Sequence, residues 1–458
     1  MVSIKIGLEV HGYLNMDSHA KLFCDCMIGE AKPNTNICPI CTGMPGSKPM
    51  PTNKEAIDTI VAIASMLDCK INTRLLFQRK HYNWPDMQTG YQRTMSGSYS
   101  VPSGENGNFL GIRISDVHLE EDPARWDPVT GYVDYNRSGL PLVEIVTAPD
   151  FKSANEVREW LKRLMTTLSY IKAIDPDSGV KSDVNVSIGP DFKRVEIKNV
   201  NSFKSIISAI EYEVRRQERE VAEGKTISVH TRAWNDAKGT TAFMRSKEHA
   251  ADYMYIPEPD LAAVQVAKEW IAKITKNLPE KPAQKVERYV NKFKIDKTDA
   301  EILSSEILLA ELFEKVVNEI DPVLAARWLR RELLRVLNYN KKELEDLKID
   351  EKHIIRLLTL IKTKKITDEV AKKLLEKLVE KPFEVEKHVK DNKLAAVSDT
   401  ATLEKYAKEA IAENKQAADD FKNGNEKALN FIMGSVMRKS KGKATPNEVR
   451  EILKKLIK

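Results

Sequence analysis

Two groups of residues near the start of the chain have types and spacings that could do chemistry. The stretch from Ile4 to His11 alternates apolar and polar residues, which is typical of a half-buried β-strand. Glu9 and His11 then project from one face of that strand. A carboxylate beside an imidazole can bind a metal ion or transfer protons. The segments Cys24-Asp-Cys26 and Cys38-Pro-Ile-Cys41 follow shortly afterwards.

The first four cysteines form two close pairs, Cys-x-Cys and, after eleven residues, Cys-x-x-Cys. Two such pairs supply four thiolates to a tetrahedral ion, and a site closed by four thiolates is structural rather than catalytic. The spacing therefore predicts a zinc site formed by Cys24, Cys26, Cys38 and Cys41, with free thiols as the alternative. Cys69 stands apart in a helical pattern and is predicted to be a small buried residue.

Further carboxylates lie on other predicted strands. Residues 182–198 predict a hairpin with a valine and isoleucine face, whose opposite face carries Asp183, Glu196 and Lys198. Glu120-Glu-Asp122 ends an extended segment over residues 112–119. Together with Glu9 these acids would form an oxygen-rich site that suits magnesium beside a phosphate. Periodicity alone does not show that the strands are neighbours, and it does not choose between Glu120 and Glu121. A solvated sheet face or a surface salt bridge is the alternative for each residue.

The end of the chain is locally basic. Residues 438–458 contain eight lysines and arginines against two acidic residues, and Thr445-Pro-Asn-Glu448 is a capping sequence that predicts a helix. A solvated helix is one interpretation, and binding to nucleic acid phosphates is the other. The candidate phosphate-binding cations are Arg438, Lys439, Lys441, Lys443, Lys454 and Lys455.

Composition limits the remaining possibilities. The chain has 458 residues and a net charge of only +6, so any basic surface must be local. We find no secretory signal pattern and no apolar run long enough to cross a membrane, and we expect a cytoplasmic protein without a membrane partner.

The pattern changes along the chain. Residues 1–285 mix short strands with glycine and proline turns, whereas the sequence from Val286 onward is rich in lysine, glutamate and leucine at helical spacing. We predict an α+β protein with a sheet domain over 1–285 that includes a zinc loop at 24–41. A helical domain over 286–392 and a small helical tail over 393–458 would follow it.

A set of spaced motifs adds a family resemblance. The motifs are Ile6-Gly-Leu-Glu-Val-His11, Lys21-Leu-Phe-Cys24, Pro33-Asn-Thr-Asn36, His118-Leu-Glu-Glu-Asp122, Val133-Asp-Tyr-Asn-Arg137, Pro141-Leu-Val-Glu-Ile-Val146, Arg194-Val-Glu-Ile-Lys-Asn199, Asn201-Ser-Phe203, Met244-Arg-Ser-Lys247, Pro257-Glu-Pro-Asp260 and Gly442-Lys-Ala444. In these motifs the chain resembles, nearly end to end, the B subunits of aspartyl/glutamyl-tRNA(Asn/Gln) amidotransferases, the GatB family.

The resemblance implies a cradle domain on a mostly antiparallel sheet with flanking helices, then an all-α domain and a YqeY-like tail that binds tRNA. It implies an ATP-dependent carbon-nitrogen ligase with glutamine as the amide donor. ATP would phosphorylate the side-chain carboxylate of Asp-tRNA(Asn) or Glu-tRNA(Gln), and ammonia would then displace the phosphate. An amidase-type glutaminase, the A subunit, would release the ammonia, and a small C subunit would complete the GatCAB heterotrimer.

Carried over to this sequence, the family's magnesium and kinase site falls on Glu9, His11, Glu121 and Glu196, with Glu120 and Asp183 close by. Lys80 takes the place of a lysine before the Tyr-Pro-Asp loop, where it would meet phosphate or the substrate carboxylate. Arg137 would contribute to binding the nucleotide. The resemblance thus implies ATP and Mg²⁺ as cofactors, in addition to structural Zn²⁺.

Three segments depart from the family pattern: Asp177-Ser-Gly-Val-Lys181, Asp252-Tyr-Met-Tyr-Ile256, and Ala124-Arg125 behind Pro123. Arginines lost there would weaken contacts to nucleotide or tRNA, because lysine and methionine cannot form planar bidentate bonds.

Two alternatives remain at this stage. One is a zinc-containing tRNA-binding protein without catalysis, and the other is the archaeal two-subunit amidotransferase specific for Glu-tRNA(Gln). That relative carries an inserted domain, for which the roughly 25 residues after Asp260 are too few.

Overall fold

The computed structural model describes residues 3–175, 181–246, 254–397 and 399–457. Residues 177–180 and 252–253 of two departing segments, and Lys247 at the end of one motif, lie outside these ranges. The chain divides into two compact units, Met1–Lys281 and Pro282–Lys458. The predicted boundaries at 285 and 392 stay predictions.

The first unit is built on strands. In chain order they are β1 Ile4–Tyr13, β2 Lys70–Ile71, β3 Arg74–Leu75, β4 Gln78–His81, β5 Tyr91–Thr94, β6 Gly104–Phe109, β7 Ile112–Glu121, β8 Arg125–Trp126, β9 Val133–Asp134, β10 Pro141–Thr147, β11 Lys181–Ile188, β12 Val195–Val200, β13 His230–Asn235, β14 Thr240–Ser246, β15 Met254–Pro257 and β16 Val264–Gln265.

Among the described residues, twelve of these strands form one sheet. Its main path runs β14-β13-β12-β11-β1-β10-β7-β5-β4-β15, and β6 joins β2 to the first part of β7. The pairs are antiparallel, except that β12 runs parallel to β13. The prediction of a mostly antiparallel sheet is therefore confirmed.

One face of the sheet is buried under helices. The helices of this unit are α1 Lys54–Met66, α2 Ala154–Tyr170, α3 Phe203–Ala222 and α4 Lys268–Lys276. The apolar side chains of β1 and of the β11–β12 hairpin are almost fully buried in the core that α1, α2 and α3 cover, as their alternation predicted. Because successive residues of a strand point to opposite sides, the polar residues between them are left on the other face.

The second unit is helical. Its helices are α5 Pro282–Phe293, α6 Lys297–Leu303, α7 Ile307–Val316, α8 Pro322–Arg327, α9 Leu334–Asn340, α10 Glu351–Lys362, α11 Asp368–Glu380, α12 Val385–Asp391, α13 Thr400–Glu413, α14 Lys415–Lys422, α15 Glu426–Lys439 and α16 Pro446–Ile457, with a π-helical segment Trp328–Leu333 and a 3₁₀ turn Leu344–Asp346. Two separate apolar cores lie within it, one between Tyr289 and Val389 and one between Leu403 and Ile457. The α+β class with a helical C-terminal half is confirmed. In the described ranges we find no helix with the length and apolarity needed to cross a membrane.

Candidate functional site

The first polar group of the sheet lies where β1, β11 and β12 pair. Glu9 is directly opposite Asp183, and Asn185 is directly opposite Glu196, so these side chains share the face away from the helices. Glu9, Asp183 and Glu196, here called the Glu9 cluster, each offer a carboxylate oxygen within 4.8 Å of the others. Nζ of Lys198 lies 2.8 Å from Oε1 of Glu196 and donates a short hydrogen bond to Asp183.

The second group lies where β1, β10 and β7 pair, next to the edge of β1 that does not pair with β11. His11 pairs with Glu144 of β10, and Glu144 in turn pairs with His118 of β7. His11, Glu120 and Glu144, here called the His11 cluster, also place one ligand atom each within 4.8 Å of one another. Oε2 of Glu144 lies 3.4 Å from Nε2 of His11 and 3.2 Å from Nε2 of His118. The other ring nitrogen of His118 is 2.6 Å from Oδ1 of Asp116.

Burial and close charges shift the pKa values of these groups. Burial would lower the pKa of His11, but the adjacent Glu144 carboxylate outweighs it and raises this pKa to about 9. The two imidazoles hold the pKa of Glu144 well below its usual value, although burial acts against them. Burial and the neighbouring carboxylates raise the pKa of Glu9. The site thus concentrates negative charge that cations must balance.

Both clusters open into one cavity of about 390 Å³. Its lining includes Glu9, His11, Lys80, Gln92, Ser96, Asp116, Glu120, Leu142, Glu144, Val146, Asp183 and Lys198. Lys80 contributes from β4 and is one of the charges that lower the pKa of Glu120. The arrangement offers carboxylates and an imidazole for divalent cations, and two ammonium groups for anions, on one concave surface.

Glu121 is not brought to this cavity. Glu120 and Glu121 are consecutive residues of β7, so their side chains leave the sheet on opposite sides. The Glu121 carboxylate instead accepts hydrogen bonds from the backbone and guanidinium of Arg93, at 3.0 and 3.2 Å. Arg93 also donates to Oε2 of Glu258, to which Arg79 donates as well, so Glu121 ends a chain of ion pairs that is largely buried.

Arg137 also lies outside the lining of the cavity. Its Nε is 3.1 Å from Oδ2 of Asp122 and donates to the carbonyl of Pro123, and its Nη2 donates to the carbonyl of Ala124. The hydroxyl of Tyr13 donates to the same Asp122 carboxylate. In this structure Arg137 therefore fixes the segment that follows β7.

The four predicted zinc cysteines come together. The sulfur atoms of Cys24, Cys26, Cys38 and Cys41 all lie within 4.8 Å of one another, and Cys41 Sγ is 3.9 Å from that of Cys26 and 3.8 Å from that of Cys38. These separations are far longer than a disulfide bond and suit four ligands around one ion. The hydrogen bond from Cys24 lowers the pKa of Cys41 to about 4, which favours a thiolate. The described structure thus has a closed four-sulfur site.

Two asparagines attach the cysteine loop to the rest of the unit: Asn34 within the loop and Asn136 after β9. The Asn34 side chain accepts from the backbone N–H of Tyr135 and donates to the carbonyl of Val133. Oδ1 of Asn136 accepts from the backbone of Thr35 and Asn36. The loop is thereby attached to the β8–β9 hairpin. Gly43, two residues after Cys41, has a φ of +64°, and a Cβ there would lie 2.6 Å from the Gln88 carbonyl oxygen. This close approach therefore requires glycine.

The basic residues near the C-terminus differ in their surroundings. Arg438, Lys441 and Lys455 are exposed, whereas Lys439 forms ion pairs with Glu409 and Glu413 of α13. The remaining two candidates, Lys443 and Lys454, are half-buried.

Sequence reasoning did not give a role to three residues that the structure places in or beside the clusters: Glu144, His118 and Lys198. Glu144 lies between the buried residues Val143 and Ile145, and an acid inside such an apolar strand was the available signal. Lys198 was predicted without a function on the same hairpin face as Asp183 and Glu196, and that shared face was the available signal for the ion pairs that it forms with them.

The fold and these sites place the chain in a known class. Residues 4–272 match the family described as the GatB/GatE catalytic domain, and residues 311–457 match the family described as the GatB domain. The first match includes both carboxylate clusters and the cysteine loop, and the second includes the helical second unit from residue 311 onward.

Whole-length relatives agree with that class. The chain is 44% identical to the B subunit of the aspartyl/glutamyl-tRNA(Asn/Gln) amidotransferase of Methanococcus maripaludis, covering 100% of this chain and 99% of the relative. The B subunits of Methanocaldococcus jannaschii and Methanopyrus kandleri are 43% and 42% identical, with 98% and 99% of their lengths covered. The chain belongs to the family of aspartyl/glutamyl-tRNA amidotransferase B subunits. An end-to-end match to these B subunits supports this family over the two-subunit relative.

Proposed function

We propose that this chain is the B subunit of a tRNA-dependent amidotransferase, which activates the side-chain carboxylate of a misacylated tRNA with ATP and then amidates it. The observation that carries the proposal is the convergence of the Glu9 cluster, the His11 cluster and Lys80 on one cavity, in a chain that belongs to the B-subunit family. A tRNA-binding protein without catalysis would have no need of two buried acid clusters.

The reaction has a chemical reason for its two steps. A carboxylate is a poor acyl donor, because oxide would have to leave. An oxygen of the Asp or Glu side chain therefore attacks the γ-phosphorus of ATP, the bond to the bridging oxygen breaks, and ADP departs. Ammonia then attacks the acyl carbon of the mixed anhydride, and inorganic phosphate leaves with the original carboxylate oxygen. The amide product forms after the nitrogen loses a proton.

The described residues fit divalent cations. The Glu9 cluster would supply oxygen ligands, and the His11 cluster would supply two carboxylates and an imidazole. Among the described residues, nothing donates a hydrogen bond to the buried Oδ1 of Asn185, and a carbonyl oxygen of this kind is a magnesium ligand. Bound Mg²⁺ would neutralise phosphate charge during phosphoryl transfer.

The chain's own cations complete the anion site. Lys80 lies on the cavity wall next to Glu120, where it would hold the phosphates or the substrate carboxylate. Zinc at the four cysteines would play a structural part, holding the loop that Asn34 docks onto the β8–β9 hairpin.

The protein would act within a complex. The relatives are named as B subunits, and we propose a glutaminase that releases ammonia and a small third protein as the other members of the complex, in the cytoplasm. The aminoacylated tRNA would bring its acylated end into the cavity. The exposed cations of the tail would bind its phosphates.

The test is nucleotide turnover by the reconstituted complex. With ATP, Mg²⁺ and either Asp-tRNA(Asn) or Glu-tRNA(Gln), the complex should form ADP and an acyl phosphate, and amide once glutamine is added. Glu9→Gln should reduce ADP formation at least about 100-fold, which corresponds to several kcal/mol of transition-state stabilisation. Glu218→Gln, an exposed acid on α3, is the matched control. Full activity of the Glu9→Gln protein would refute the assignment.

A further inference from the structure

The Glu9 cluster already contains a cation, and that cation belongs to the protein. Nζ of Lys198 contacts Oε1 of Glu196 at 2.8 Å and donates to Oδ2 of Asp183, which are two of the three carboxylates in the cluster. Only 30% of the Lys198 side chain is exposed, so water screens these contacts poorly.

The remaining bonds hold the carboxylates in place around this ammonium. Asn185 Nδ2 donates to Oε1 of Glu9 at 3.1 Å, and Thr231 Oγ1 donates to Oε2 of Glu196 at 3.2 Å. Thr231 is fully buried on β13, next to β12. The acids are therefore fixed by the sheet, whereas Lys198 is a long side chain with rotatable bonds.

We propose that Lys198 is a resident counter-ion that competes with a divalent metal ion for the Glu9 cluster and moves to the phosphates of the nucleotide when the metal binds. This inference rests on the proposed function and deepens it. A metal ion that binds Asp183 and Glu196 would use the same two carboxylates that the ammonium now contacts, and the two cations would repel each other.

The displacement has a use in catalysis. An ammonium and a divalent metal ion bound to the same carboxylates would lie a few ångströms apart, where their positive charges repel each other, so metal binding favours movement of the Lys198 side chain out of the cluster. Lys198 lines the same cavity as Lys80, so once released it lies beside the place where phosphate oxygens would arrive. Metal loading would therefore be coupled to anion binding, and without metal the Lys198 ammonium would offset part of the negative charge of the three carboxylates.

The test measures metal binding directly. The full-length chain in its reconstituted complex is titrated with Mn²⁺ in the absence of nucleotide, and the free ion is counted by electron paramagnetic resonance. Lys198→Met should bind one Mn²⁺ at least about tenfold more tightly than the parent, because a positive charge has been removed a few ångströms from the site. Lys198→Arg keeps the charge and should bind as the parent does.

Two further variants locate the effect. Lys238→Met removes an exposed lysine from the turn between β13 and β14 and should leave Mn²⁺ affinity unchanged. Glu196→Gln in the Lys198→Met background should remove the tightened site. Thermal unfolding checks the fold, since Lys198→Met should unfold at a lower temperature without metal and recover when Mn²⁺ is added.

Turnover separates this inference from the proposed function. Lys198→Met should form ADP at least about tenfold more slowly despite its tighter metal site, whereas a purely structural role would not move the two measurements in opposite directions. Unchanged or weaker Mn²⁺ binding by Lys198→Met overturns the inference, even if the parent complex forms ADP. If the parent forms no ADP, the proposed function fails, and a tightened Mn²⁺ site would still support the competition.

Discussion

Neighbouring residues on a strand can have unrelated roles, as Glu120 and Glu121 show. Glu120 lies in the His11 cluster, where Gln92 donates to it at 3.1 Å. Glu121 faces the opposite side of the sheet and is paired with Arg93. A one-residue offset on a strand thus separates a candidate metal ligand from the end of a buried ion-pair chain.

This separation predicts different consequences for matched substitutions. Glu120→Gln should lower the kcat for ADP formation at least about 100-fold with little change in unfolding temperature, since it removes a ligand from the cavity. Glu121→Gln should lower the free energy of unfolding by about 3 kcal/mol, because Arg93 loses a buried partner. Kinetics and denaturant unfolding of both proteins check this. If Glu121→Gln lost as much kcat as Glu120→Gln, Glu121 would be a magnesium ligand, as the family resemblance implied.

At the scale of elements, side-chain hydrogen bonds attach a loop and a helix to their neighbours. The cysteine loop would be held by an ion at its two cysteine pairs, and hydrogen bonds of Asn34 and Asn136 attach its middle to the segment after β9. Helix α5 is attached in a different way, by a carboxylate of α7. Glu314 accepts from Lys285, Arg288 and Tyr289 of α5.

Removing the metal should loosen the loop and the hairpin together. Cys41→Ser, or treatment with a strong chelator, should increase hydrogen exchange in residues 24–46 and in the β8–β9 hairpin by at least about tenfold, because the loop lacks a core. The parent should contain one zinc per chain by elemental analysis. Cys69→Ser is the control, since Cys69 lies outside the cluster. Unchanged exchange after complete metal loss would contradict a structural role.

The attachment of α5 should weaken in acid. Although burial alone would raise it, the hydrogen bonds from Lys285, Tyr289 and Arg288 lower the pKa of Glu314 below its usual value. A lowered folded-state pKa stabilises the protein above the unfolded-state pKa of about 4.5, and this stabilisation disappears as the pH falls through the folded-state value. The protection factors of the α5 amides, which are corrected for the slower intrinsic exchange in acid, should therefore fall below about pH 4.5 in the parent.

Glu314→Gln is the control for that measurement. Its α5 amides should already be less protected at pH 7, and their protection factors should change less between pH 6 and pH 3, because the group that titrates is missing. If the protection of α5 depended on pH in the same way in both proteins, carboxylates other than Glu314 would cause its acid sensitivity.

At the scale of the whole molecule, charge is distributed by region. The net charge of +6 is small, yet residues 438–458 carry eight of the 73 basic residues against two of the 67 acidic ones. Arg438, Lys441 and Lys455 remain exposed in the folded second unit, whereas the pairs of Lys439 with Glu409 and Glu413 already balance its charge. These three exposed cations are the better candidates for phosphate contacts.

Neutralising them should weaken tRNA binding in a salt-dependent way. A protein with Arg438, Lys441 and Lys455 replaced by glutamine should bind tRNA about tenfold more weakly at moderate salt. The slope of log K against log salt should fall by roughly 0.7–0.9 for each lost phosphate contact. Replacement of Lys268, Lys273 and Lys276 on α4 removes the same charge elsewhere and serves as the control. An equal effect of both triple variants would leave the tail without a specific part in binding.

The sequence by itself determined whatever depends on local period and spacing. Alternation in β1 and in the β11–β12 hairpin predicted both the buried and the polar residues, and the spacing of the cysteines predicted a four-sulfur site, because these patterns involve residues a few positions apart. The spaced motifs added the family, and the chain's relatives confirm it.

Only the tertiary structure decided which distant side chains meet. Strand order placed Glu144 between His11 and His118 and brought Glu9 opposite Asp183 of the β11–β12 hairpin. It also turned Glu121 away towards Arg93. The pairing of β1 with β10 and β11, which lie more than a hundred residues further along the chain, fixes the contacts of Glu9 and His11, and a period of two within each strand carries no information about its neighbour.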